Sequence, residues 1–157
     1  MKTYIASDHG GYEVKKELIK YLKNKGYVME DMGNKELDPL DDYPDFVIPL
    51  AEKVAKELGA TGIIIGRSGN GEAVAANKVK GIRAAVCINK KMAKMARKHN
   101  DANILSLGAD YTDLKTIKTI HQLKGLGQHT AAELQSGALK NMLKIISGSG
   151  FVHGPRR

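Results

Sequence analysis

Three clusters of polar residues in this sequence are of types that carry proton-transfer or anion-binding chemistry. The first is Ser7-Asp8-His9, two titratable side chains straight after a short apolar run. The second is Arg67-Ser68-Gly69-Asn70-Gly71-Glu72. Its two glycines permit backbone angles closed to other residues, so several amide N–H groups can converge at a helix start. Such a turn attracts a phosphate, or an oxyanion that forms during a reaction. Strand-to-helix turns are also glycine-rich for steric reasons alone, so a purely structural reading stands beside the functional one. Glu72 has the same two readings: it complements the helix dipole or, desolvated in a cleft, serves as a general base. The third cluster is His99-Asn100, closing a lysine-rich segment, where a histidine by itself suits a helix C-terminal charge cap. His121, His129 and His153 have no partner pattern, and Cys87, inside IRAAVC, reads as a small buried core residue.

The elements that must position these residues alternate strand and helix. Residues 2–7 form a β-like run, and 12–25 carry Val14, Leu18, Tyr21 and Leu22 at helical spacing, with Gly26 as the stop. Residues 27–32 read as a second strand. A polar loop leads from it to a helix over 46–58, with proline near its first turn and Gly59 beyond its end. The uniformly apolar GIII at 62–65 has the composition of a central parallel strand covered on both faces. A helix over 72–78, a strand over 82–87, a helix over 90–98, a strand over 103–107 and a helix over 112–123 come next. The lysine-rich faces (Lys15, Lys16, Lys20, Lys23; Lys90, Lys91, Lys94, Lys98) read as solvated surface. This alternation predicts an α/β fold, a doubly wound five-stranded parallel sheet of Rossmann-like type with right-handed crossovers. The expected domain is 1–123. An extra C-terminal helix over 131–146 and a flexible end make up 124–157, and that helix packs either on its own domain or on a partner subunit. Ligands of open α/β sheets bind at the carboxyl ends of the strands, where the first two clusters fall. His99 sits at a helix end, and topology alone does not bring it to them.

Length and composition narrow the classes. The chain has 157 residues, the size of one domain, with 42% hydrophobic and 27% charged residues, too apolar for a disordered chain. No apolar run approaches the roughly 20 residues of a membrane span, and the N-terminus does not read as a signal peptide. A single cysteine excludes an internal disulfide and a multi-cysteine zinc site within one chain, and makes the cytoplasm the expected compartment. The formal charge of +8 favours anionic partners, and residues 113–157 hold seven basic and two acidic side chains. With no Trp and two Phe, a stacked-aromatic nucleic-acid platform is disfavoured.

The segments SDHGGYEVKKELIKYLKNKGY, DDYPDF, GRSGNGEAVAANKVKGIRAAVC and ARKHNDANILSLGA, in this order and spacing, resemble the type B ribose-5-phosphate isomerases and the related galactose-6-phosphate isomerase subunits over roughly residues 1–110. The resemblance implies an aldose–ketose isomerase acting on a sugar phosphate, needing neither metal nor other cofactor. It implies homodimers with two shared active sites, a tetramer being the other assembly left open. By the same resemblance Asp8, His9 and Tyr43 contact the sugar, the loop Arg67, Ser68, Gly69, Asn70 and Gly71 holds the enediolate oxygens, His99 donates the ring-opening proton, and Asn100 binds substrate beside it. Many relatives carry a catalytic cysteine at the position of Gly66. Another branch uses a glutamate, which Glu72 matches. This chain departs from the pattern at the phosphate: Arg67 replaces a glycine, and Asp110, Gln128 and Ala132 stand where the family has arginines. Arg67, or Lys140 and Lys144 of the basic tail, then become the candidate phosphate cations. The alternatives kept open are another sugar or hexose phosphate and a non-catalytic sugar-phosphate-binding homologue.

Overall fold

The computed structural model of the chain describes residues 2–121. Five parallel strands, β1 (Thr3–Ser7), β2 (Met29–Asp31), β3 (Thr61–Gly66), β4 (Ala84–Val86) and β5 (Ile104–Gly108), form one sheet in the order β2-β1-β3-β5-β4. Between and after them run α1 (Tyr12–Asn24), α2 (Pro44–Lys56), α3 (Asn70–Ala76), α4 (Lys90–Asn100) and α5 (Leu114–His121). β3 is paired on both sides, from Thr3↔Thr61 to Ser7↔Ile65 on one and from Gly62↔Ile104 to Gly66↔Gly108 on the other. All its residues are buried, which is why GIII carries no polar alternation.

Each strand's alternation feeds two cores. Tyr4, Ala6, Ile64 and Ile104 pack with Val47, Leu50, Ala51 and Val54 of α2 and Ala76 of α3. On the opposite face Ile5, Ile63, Ile65, Leu105 and Leu107 meet Leu18 and Leu22 of α1, Ala93 of α4, and Ile117 and Ile120 of α5. A fully buried isoleucine of β3 contributes about 1.5–3 kcal/mol relative to leaving it exposed. The expected doubly wound five-stranded parallel sheet is therefore present. After β1 the chain steps outward to β2 and then recrosses to β3, so a crevice opens between β1 and β3 at their carboxyl ends.

The differences from expectation have local causes. β2 spans three residues rather than 27–32, and β4 three rather than 82–87. Both are edge strands, paired on one side only, and each ends where its single ladder ends. α3 starts at Asn70 rather than 72 because Gly69, at φ +79°, turns the chain into the helix. α2 starts two residues early, with Pro44 in its first turn. A 3₁₀ turn, His9–Gly11, precedes α1. Lys15 corrects the reading of its helix face as solvated: its side chain is 2% exposed, held by Asp31 and by the Asn34 carbonyl. Cys87 is buried in the second core, as expected. The expected C-terminal helix and tail, 124–157, lie outside the described residues.

Candidate active site

Asp8 leaves the end of β1 and caps the 3₁₀ turn, its Oδ1 accepting from the Gly11 amide at 3.2 Å. Two glycines bring this turn into contact with the end of β3 and the loop beyond it. A Cβ on Gly11 would stand 2.3 Å from the Ile65 carbonyl oxygen, and one on Gly10 would stand 2.7 Å from Arg67 Cγ and 3.3 Å from Asp8 Oδ1. The first two sequence clusters therefore meet across the β1–β3 crevice.

The glycine loop is anchored to the end of β5. The Ala109 and Asp110 amides donate to the Gly66 and Arg67 carbonyls at 2.8 and 3.0 Å, and Ser106 Oγ donates to the Gly69 carbonyl at 2.6 Å. Within the loop the Asn70 amide donates to Ser68 Oγ at 3.1 Å. Tyr43, at the start of α2, lays its ring over the loop: a Cβ on Gly71 would be 3.1 Å from Tyr43 Cζ.

Glu72 sits in the first turn of α3 and is 5% exposed. Its carboxylate fills the space above Gly66, where a Cβ would come within 1.5 Å of Glu72 Oε1. A side chain at 66 and this placement of Glu72 are mutually exclusive. Burial raises the Glu72 pKa above the ordinary glutamate value and the charge of Asp8 adds to it, while the amides of Glu72 and Gly69 oppose the shift. The two readings of Glu72 thus coexist: it reaches back to the helix-start amides as a capping glutamate does, and it is a desolvated carboxylate in a cleft. Asp8, itself buried, is also raised, chiefly by desolvation. Paired carboxyls with raised pKa values at a sheet's carboxyl end are the equipment of proton transfer.

His9 stands beside them with Nδ1 2.7 Å from Asp41 Oδ1, and its hydrogen bond to that carboxylate raises the imidazole pKa. Ligand atoms of Asp8, His9 and Asp41 lie within 4.8 Å of one another, the spacing of a potential metal site. The direct His9–Asp41 contact leaves no gap for an ion between those two groups. Sequence reasoning missed Asp41. The available signal was the polar β2–α2 connection, which in a doubly wound sheet must pass over the carboxyl end of β1.

Arg67 is exposed at the rim, its Nη1 3.6 Å from Asp110 Oδ2. The loop's cation thus faces the carboxylate that follows β5. Gln128, Ala132, Lys140 and Lys144 lie outside the described residues.

His99 and Asn100 do not join the others within one chain. α4 runs antiparallel to the strands, so its last turn lies at the amino end of the sheet. There the Asn100 carbonyl accepts from Arg83 Nε, just before β4. The five residues of β5 alone span about 16 Å between the two ends.

A family model described as Ribose/Galactose Isomerase matches residues 3–123. The chain is 43% identical over 108 residues to ribose-5-phosphate isomerase B of Mycobacterium tuberculosis, covering 69% of this chain and 67% of that protein. Its fold matches a Clostridium thermocellum ribose-5-phosphate isomerase B with TM-score 0.74 and 42% identity, covering 93% of this chain and 99% of that one. It also matches the Mycoplasma genitalium enzyme with bound ribulose-5-phosphate, with TM-score 0.80 and 34% identity over 96% and 97% of the two chains. A likeness this extensive in both sequence and fold settles the lineage: the chain belongs to the ribose/galactose isomerase family.

Proposed function

We propose that this chain interconverts ribose 5-phosphate and ribulose 5-phosphate through an enediolate, with Glu72 as the base. The observation that carries the reading is the Glu72 carboxylate, buried above Gly66 and beside Asp8, where its raised pKa suits a group that takes and returns a proton. Ring opening breaks the C1–O4 bond; O4 gains a proton from His99 as the O1 hydroxyl loses one. Glu72 then takes the proton from C2, and the electron pair moves through the C1–C2 bond onto the carbonyl oxygen. The loop from Arg67 to Gly71 stabilises the resulting oxyanion. Glu72 returns the proton to C1 while the O2 proton passes to O1, leaving a C2 ketone and a C1 hydroxyl. C2 is oxidised as C1 is reduced, so no external redox partner enters. Asp8, His9, Tyr43, Ser68, Asn70 and Asn100 hold the sugar hydroxyls.

His99 and Asn100 lie at the far end of the sheet from Glu72, so in this reading a second copy supplies them and the working unit is a homodimer with shared sites. Among the described residues no helix is long and apolar enough to cross a membrane, in keeping with a cytoplasmic metabolic enzyme. Ribose 5-phosphate, assayed for ketose formation within a panel of aldose phosphates and free sugars, should give the highest kcat/KM. Glu72→Gln should lower turnover by about 10²–10⁴-fold while substrate still binds. Unchanged turnover overturns the assignment.

The Arg67–Asp110 pair favours a second reading, in which another aldose phosphate is preferred, because the resemblance leads to an arginine at position 110 and this chain instead pairs an aspartate there with Arg67. An ion pair this exposed is worth at most about 1 kcal/mol, and a phosphate dianion can take the guanidinium from it. Arg67→Ala should raise KM for the sugar phosphate more than it lowers kcat. Unaltered kinetics in that variant would exclude Arg67 from phosphate recognition.

A further inference from the structure

The hydrogen bonds behind His9 form a chain that the isomerase reading leaves without a role. Asp41, whose side chain is 6% exposed, accepts from both the backbone amide and Nδ1 of His9 through one oxygen, at 2.9 and 2.7 Å. Its other oxygen accepts from Asn34 Nδ2. Asn34 is itself fixed from behind: Lys15 Nζ donates to the Asn34 carbonyl at 2.7 Å and to Asp31 Oδ1 at 2.9 Å, and Asp31 also accepts from the Gly33 amide at 3.0 Å. A buried lysine thus organises the turn after β2, and that turn delivers one carboxylate to one imidazole.

The consequence for His9 is chemical. A carboxylate on Nδ1 selects the tautomer with its proton there and leaves Nε2 as the ring nitrogen open to a ligand. The charged groups facing the ring are Asp41, from the β2–α2 connection, and Asp8, from its own turn. Arg67 approaches the same turn at Gly10 through its methylene groups. We propose that Asp41 is a positioning residue of the isomerisation site, holding the His9 imidazole so that Nε2 meets a substrate hydroxyl. This inference rests on the proposed isomerase activity and gives a role to Asp41, a residue of the DDYPDF segment to which the resemblance assigned none.

The test uses the full chain with Asp41→Asn, which keeps the shape and removes the charge, alone and combined with His9→Gln. In the protein without substrate, the His9 ring proton, assigned in NMR spectra by its loss in His9→Gln, should titrate at lower pH in Asp41→Asn than in wild type. In the kinetic arm, Asp41→Asn should lower kcat/KM for ribose 5-phosphate by about tenfold or more, the usual scale for losing a partner that orients a functional histidine. It should lower it no further once His9 is Gln. Equal losses in both backgrounds, or an unmoved His9 titration, overturn the proposal. Asn34→Ala, which removes only the second anchor of Asp41, should shift the titration in the same direction by less, and provides the reading if Asp41→Asn does not fold. Wild-type protein inactive on every aldose phosphate would refute the isomerase reading, whereas the titration would still report the His9–Asp41 coupling.

Discussion

Mixing two inactive variants, Glu72→Gln and His99→Asn, should restore activity. The prediction rests on the separation of the two residues. Glu72 stands at the carboxyl end of the sheet, and His99 at the end of an 11-residue helix that runs back to the amino end. At 1.5 Å per residue that helix covers about 16 Å, as does β5 beside it. No side chain spans such a gap, so a site using both residues must take them from different copies. Random pairing of equal amounts of the two variants makes half of the dimers hybrid. Each hybrid has one site with both residues intact and one with neither, so about a quarter of wild-type activity should return. Each variant alone should retain about 1% or less, given the 10²–10⁴-fold contribution of a positioned acid or base. The assay is ketose formation from ribose 5-phosphate after co-expression, with hybrid formation verified by native mass spectrometry. A verified hybrid population no more active than its parents would refute the reasoning, because a site built within one chain always carries one of the two lesions.

Three further outcomes are expected. Gly66→Cys should not supply a second base but displace the first, since its Cβ would fall 1.5 Å from Glu72 Oε1; kcat should fall by about 10²-fold or more, and activity equal to wild type would show that Glu72 is free to move aside. Iodoacetamide under native conditions should leave activity intact, because Cys87 is 1% exposed and burial pushes its thiol up to about 11; rapid inactivation prevented by substrate would contradict this. The acid limb of kcat/KM should lie above the ordinary glutamate range, because Glu72 must be ionised to accept the C2 proton and burial together with Asp8 raises its pKa. Activity is then present above that raised value and lost as pH falls through it. Asp8→Asn should move the limb to lower pH, and a limb indifferent to Asp8 would remove the electrostatic coupling.

The sequence by itself determined the parts whose signal is local. Glycine positions marked the loop after β3, helical spacing marked the inner faces of α1, α2 and α5, and the uninterrupted GIII marked the central strand, because each of these depends on residues a few positions apart. The pairing of Asp8 with Glu72 was legible only as two clusters falling at strand carboxyl ends. The crossing from β2 back over β1 to β3, a long-range property of strand order, puts them in one crevice. Tertiary structure alone decided three matters. Lys15 lies on a lysine-rich face yet is buried, since Asp31 and the Asn34 carbonyl, brought to it by the next strand, compensate its charge. Asp41 became the partner of His9 across 32 positions, a distance over which no local pattern carries information. His99, grouped with the rest of the site only by the resemblance, is separated from Glu72 by the length of the sheet, because a helix joining two parallel strands must return its end to the side from which the strands start.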